Sequence, residues 1–172
     1  QQRGILVLSS IICGLESDTV SAMRVMREFA IESGTALAQF TVYRPYPGTK
    51  DYYEMKKDQK HREEAGYAPK HRTEILGDRF WLEPNDPIDW FQHATISTPV
   101  LLEENRRCWD SFYAPREILK RTRSGVARSW PFAGKLAYLF LSVVFHRVYA
   151  GHGVSADSVQ KKRGITTKVF IK

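Results

Sequence analysis

Cysteine is almost missing from this chain: Cys13 and Cys108 are the two that 172 residues contain. They lie far apart and match no C-x-x-C metal spacing, which excludes a disulfide-built scaffold and a zinc ribbon, and points to a reducing compartment. Each is expected to act as a small buried hydrophobe. Long apolar runs are lacking too. The longest, LAYLFLSVVF (Leu136 to Phe145), falls well short of the roughly 20 residues that span a bilayer. The opening QQRGILVLSS has neither the apolar core nor the cleavage site of a secretory signal, and no initiator methionine, so the chain is expected to begin inside a longer one. His61, His71 and His93 are too scattered for a metal site and are expected at the surface.

Negative charge is scarce in the second part of the chain. Residues 106–172 carry 14 Lys+Arg against 3 Asp+Glu, whereas residues 1–105 carry 12 against 16. The net charge of +7 is therefore a property of the C-terminal part, which suits either an anionic partner or a solvated basic face. Nucleic acid is the weaker choice of partner, because the aromatics sit in an apolar run and do not alternate with the cations as a stacking platform requires.

What is present begins with a βαβ pattern. A hydrophobic content of 42% supports one core, hence one domain plus an extension. GILVLSSIIC (Gly4 to Cys13) is β-branched and short, which predicts a buried strand of the parallel-sheet kind, stopped by Gly14. Ser17 or Asp18 then caps a helix in which Val20, Met23, Met26, Phe29 and Ala30 share one face, and Gly34 ends it. LAQFTVY (Leu37 to Tyr43) is a second strand that sets Leu37, Gln39, Thr41 and Tyr43 against Ala38, Phe40 and Val42.

In parallel α/β folds the ligand site lies at the carboxyl ends of the strands, so CGLESDT and VYRPYPGT fall on one rim. Pro45 and Pro47 stiffen the second loop and Gly48 allows a sharp turn. The same residues also make an ordinary strand-to-helix turn.

Three runs, SSIICGLESDT, EFAIESGTALAQF and TVYRPYPGT, carry a resemblance, together with GDRFWLEPNDP, ENRRCWDSFYAPREILKRT and GKLAYLFLSVVFHRVYAGHGVSADSV downstream. In this order they resemble the second half of the cobalamin-binding radical SAM enzymes, in the branch that includes the hopanoid methylases. The resemblance implies an α/β fold: the C-terminal part of a radical SAM partial TIM-like barrel, followed by a mainly α-helical extension. Ile5 to Cys13 and Leu37 to Tyr43 would be its fifth and sixth strands. The family's stretch along the adenosyl group of S-adenosylmethionine falls on Ser10, Ile12 and Gly14, with Ser10 standing where the family usually has glycine. Asp18 and Thr19 fall on a helix cap. Gln39 and Thr41 join the cofactor-binding set by their strand position, and Tyr43 and Arg44 line a substrate pocket, where Arg44 suits a carboxylate or phosphate.

The family's 4Fe-4S cluster needs a C-x-x-x-C-x-x-C loop, which this chain does not contain. Cluster and cobalamin sites therefore belong to N-terminal portions that act as partners of this segment, and the chain alone is expected to be inactive. The implied reaction is methylation of an unactivated carbon of an apolar, lipid-like small molecule, after reductive cleavage of S-adenosylmethionine and with the methyl group delivered from cobalamin.

The resulting organisation is residues 1–60 as the βαβ portion, 61–96 as a connecting segment and 97–172 as a basic helical extension. In the middle of the chain, Asp51 to Asn85, Tyr52, Tyr53 and Met55 lead into a solvated helix, and Phe80, Trp81 and Leu82 either close the mouth of a pocket or pack in a core. In the extension, Ser97 or Thr98 caps a helix whose face is Leu101, Leu102, Asn105, Cys108, Trp109 and Phe112, and Pro115 breaks or restarts it. The apolar run 136–145 follows, beside Trp130 and Phe132. It either packs on the barrel or lies on an anionic membrane surface, which makes a non-catalytic peripheral membrane module the alternative function. The expected location is cytoplasmic, peripheral to the inner membrane face.

Overall fold

The structure, a computed structural model, describes residues 5–65, 74–75, 91–124 and 126–150. Strand β1 (Leu8–Cys13), helix α1 (Val20–Glu32) and strand β2 (Leu37–Val42) form the βαβ unit, with β1 and β2 parallel. Helix α2 (Lys50–Glu64), the short antiparallel pair β3 (Glu74–Ile75) and β4 (Phe91–Gln92), and helices α3 (Thr98–Phe112), α4 (Pro115–Ser124) and α5 (Phe132–Phe145) follow. A 3₁₀ turn (Val126–Ser129) joins α4 to α5, and a π turn (His146–Ala150) extends α5.

The loop after β1 is closed by Asp18, whose carboxylate accepts from the backbone of Gly14 and Leu15 at 2.8 and 2.9 Å. That use displaces the cap by one residue: Thr19, not Ser17 or Asp18, is the N-cap of α1, accepting from Ala22 N at 3.1 Å. Along α1, Met23 and Ala30 are buried, with Val20 and Met26 packed beside them, but Phe29 is 64% exposed. At 100° per residue Phe29 stands well round the helix from the Met23–Ala30 line, so the expected face is narrower than the sequence suggested.

β1 is not the buried strand expected. Ile5, Leu6, Val7, Leu8 and Ile12 are exposed, and Cys13 is its one fully buried residue. The reason is that helices cover a single face of the sheet. Ile11, Cys13, Ala38, Phe40 and Val42 pack toward α1 and α3. The opposite face carries Ser10 and Ile12, which pair in register with Gln39 and Thr41.

Helix α3 is the keystone of the core. Leu101, Leu102, Asn105, Cys108, Trp109 and Phe112 are all buried, together with Glu104. Pro115 restarts the chain as the first residue of α4. Burying one carboxylate is tolerable because cations surround it: Arg107 bonds Glu104 at 2.9 Å, and Arg24 and Arg27 of α1 stand 3.6 and 3.8 Å away. This charge cluster ties α1 to α3 across the sheet's covered face.

The outer edge of β2 is closed by side chains rather than by another strand. The Tyr113 hydroxyl accepts from Ala38 N (3.1 Å) and donates to Ala38 O (2.9 Å). Trp109 Nε1 donates to Phe40 O at 2.8 Å, and the Tyr138 hydroxyl donates to Ala36 O at 2.6 Å. Buried Arg121 holds Tyr138 in place, donating to its hydroxyl at 3.1 Å and to Phe112 O at 2.7 Å while lying 3.9 Å above the Phe112 ring. Unpaired backbone groups on a buried strand edge are costly, and three aromatic side chains remove that cost here.

Edge closure also explains an inversion in α5. Tyr138 and Ser142 are its buried residues and Leu139 and Phe145 pack beside them, whereas Phe132 is 76% and Phe140 72% exposed. The hydrogen bond that Tyr138 makes and the packing of Leu139 and Phe145 on the core together set which side of the helix faces inward.

Candidate functional site

A cavity of about 420 Å3 opens at the carboxyl end of β2. Ile12, Gln39, Thr41, Tyr43 and Arg44 all line it, so the structure brings together five of the seven site residues expected from the sequence. It also places Tyr46, Leu102, Trp109 and Tyr149 in the wall. These four were missed because they come from a loop, from α3 and from the turn after α5, and no spacing in the sequence links them.

Ser10 and Gly14 do not line this cavity. Ser10 is exposed on the same uncovered sheet face, one register pair behind Ile12 and Thr41. Gly14 is buried, with φ of +86°. A side chain there would meet Leu101 Cδ1 at 3.0 Å. Glycine at 14 thus serves a left-handed turn and close packing against α3.

The loop VYRPYPGT reaches α2 through a tight turn. Thr49 N and Thr49 Oγ1 both donate to Tyr46 O, at 3.1 and 2.7 Å, and Gly48 supplies φ of +93°. Thr49 then caps α2 by accepting from Tyr52 N at 3.3 Å. Pro45 is buried beneath the loop. The loop's shape is set at both ends, so Tyr43 and Arg44 stand at a fixed rim.

Tyr43 borders a second depression of about 400 Å3 that holds the carboxylates of Glu16, Asp51, Glu54 and Asp58. Its hydroxyl donates to Asp51 at 3.1 Å. Partial burial, that hydrogen bond, and the negative charges of Asp51 and Glu16 push the phenol up to about 12. Tyr43 is therefore a neutral hydrogen-bonding group at physiological pH, between an apolar cavity and an acidic one.

Two expectations outside the cavity need correction. His93 is 3% exposed, not a surface residue. Its Nδ1 accepts from Thr95 N and Ile96 N at 3.1 and 3.0 Å, which leaves the proton on Nε2 to bond Leu15 O at 2.8 Å. The imidazole thereby pins the rim loop after β1 to the start of α3. Cys13 and Cys108, distant in sequence, come together in the core, where Cys108 Sγ donates to Met23 O at 3.9 Å, and the neighbouring Cys13 together with burial pushes the Cys108 thiol up. His71, Phe80, Trp81, Leu82 and the segment 151–172 lie outside the described residues.

Among the described residues no group of three His, Cys, Asp or Glu side chains is placed to hold a metal ion. The chain's cysteines cannot supply an iron–sulfur cluster, because both are buried against one another. The residues present thus do not fit a cluster, and no chemical step is assigned to one here. What the cavity can do is enclose an apolar ligand and orient its polar end through Gln39, Thr41, Tyr43 and Arg44. No protein-family model matches the chain, and no curated protein and no solved structure proves similar to it.

Proposed function

We propose that this chain is the C-terminal part of a cobalamin-dependent radical SAM enzyme, and that the parallel pair forms the last two strands of its partial TIM-like barrel. The observation that carries this reading is the asymmetry of the two-stranded sheet. The outer edge of β2 is sealed by Tyr113, Trp109 and Tyr138. β1 pairs with β2 alone among the described residues, and the apolar run Ile5, Leu6, Val7 and Leu8 that leads into it is exposed. Such a sheet ends at β2 and invites further strands at β1, because exposed apolar edges are otherwise a liability.

Within that reading, Ile12, Gln39 and Thr41 contact S-adenosylmethionine, while Tyr43 and Arg44 orient the substrate. The predominantly apolar wall suits a lipid-like substrate methylated at an unactivated carbon. The cluster and the cobalamin would be held by portions of the enzyme beyond this chain.

The test is to express the gene's whole reading frame, reconstitute it with iron, sulfide and cobalamin, and assay 5′-deoxyadenosine under reducing conditions. Production of 5′-deoxyadenosine, weakened at low S-adenosylmethionine concentration by Gln39→Ala, supports the reading. A reading frame that encodes no C-x-x-x-C-x-x-C loop overturns it.

A further inference from the structure

Helix α5 presents an apolar face with no described neighbour. Tyr138 and Ser142 set the inward direction. At 100° per residue the opposite arc carries Phe132, Leu136, Phe140, Val143 and Val144, all exposed, and ends at exposed Arg147. The 14 residues of α5 reach about 21 Å at 1.5 Å each, less than the roughly 30 Å of a hydrocarbon core. No helix among the described residues is long and apolar enough to cross a membrane.

Charge decides what covers this face. Between residues 113 and 150 there are seven Lys and Arg residues and one acid, Glu117. Arg116, Lys120 and Arg123 are exposed on α4, and Arg128 on the 3₁₀ turn, both of which pack against α5. A second copy docked face to face would bring two such cation sets together, which repel. A surface that is apolar below and anionic above satisfies both features.

We propose that α5 lies in the interface of an anionic lipid bilayer, with the Phe132–Val144 arc inserted and the flanking cations on the headgroups. This goes beyond the enzymatic reading and does not depend on it. The helix also borders the cavity: Tyr149, whose ring lies 4.5 Å from that of Phe145, lines its wall. A membrane-seated α5 would therefore hold the cavity close to the lipid surface.

The test is flotation of the full chain with vesicles of phosphatidylcholine alone and of phosphatidylcholine mixed with phosphatidylglycerol. Binding is expected to the anionic vesicles, falling as salt rises. Phe140→Glu, at an exposed position that should leave the thermal melt unchanged, abolishes it. Arg147→Gln weakens it roughly five-fold, the effect of one cation near an anionic surface. Failure to float on either vesicle, or equal flotation of Phe140→Glu, overturns the proposal. A concentration-dependent dimer that Phe140→Glu dissociates overturns it as well, by making a second copy the occupant.

Discussion

Replacing Tyr113 by Phe isolates the side-chain closure of the β2 edge. The substitution keeps the ring, which stacks on Trp109 at 5.7 Å between centroids and meets Phe112 edge-on at 4.9 Å. What it removes is one hydroxyl that both accepts from Ala38 N and donates to Ala38 O. Ala38 is fully buried and Tyr113 is 4% exposed, so water has little access to either orphaned group. Each unpaired buried backbone group costs about 1–3 kcal/mol, so Tyr113→Phe is expected to destabilise the fold by about 2–4 kcal/mol. Out of the roughly 5–15 kcal/mol that holds a typical domain, that is a large share.

Urea unfolding is the assay. The midpoint should fall by on the order of 1–2 M with the slope unchanged, and the Ala38 amide should exchange with solvent faster. Tyr53→Phe, at a residue 61% exposed, serves as the control and should change stability by no more than about 0.5 kcal/mol. A loss at Tyr113 no larger than that of the control would refute the edge-closure argument.

Three further outcomes follow from the geometry. Gly14→Ala combines a left-handed φ with a 3.0 Å approach to Leu101, and is expected to cost about 1–3 kcal/mol in urea unfolding; in a Leu101→Ala background the clash is gone yet the backbone strain remains, so no cost of Gly14→Ala relative to Leu101→Ala alone would refute the φ argument. Tyr43 should titrate near 12 by absorbance, against the ordinary 10.0, and Asp51→Asn should lower its midpoint. Because the folded chain holds that proton to higher pH than the unfolded one, Tyr43's contribution is intact below pH 10 and declines as pH rises toward about 12. Glu104→Gln strips the buried charge shared by Arg24, Arg27 and Arg107; with those arginines partly solvated, a loss of about 1–3 kcal/mol is expected in urea unfolding, less than the 3–5 of a wholly buried pair, and no loss at low salt would refute the cluster's role.

Legibility in the sequence followed periodicity. The β1–α1–β2 order, the alternation of Gln39 and Thr41 against Ala38 and Phe40, and the α3 face from Leu101 to Phe112 were all readable, because a period of 2 or 3.6 is a local property of the chain. Five of the expected site residues meet in one cavity for the same reason: a parallel strand projects alternate side chains to one face, and its carboxyl end opens on the following loop. The turn at Gly14 and its packing on Leu101 were not legible, because a glycine needed for a turn reads the same as one needed to admit a ligand. His93 misled because a lone imidazole has no periodic signature, and its partners Leu15, Thr95 and Ile96 are set by where the connector returns.

The sequence by itself determined the local elements and the basic character of the C-terminal part, since each depends on neighbours a few residues away. Tertiary structure alone decided which edge of the sheet is sealed, that Cys13 meets Cys108, and that α5 turns Tyr138 inward and Phe132 and Phe140 outward. A helix with apolar residues all round, as α5 has, carries little local signal for its inward side. Its orientation follows from partners far away in the chain: the Tyr138 hydroxyl meets the backbone carbonyl of Ala36, 102 residues earlier, and Leu139 and Phe145 pack on the same core.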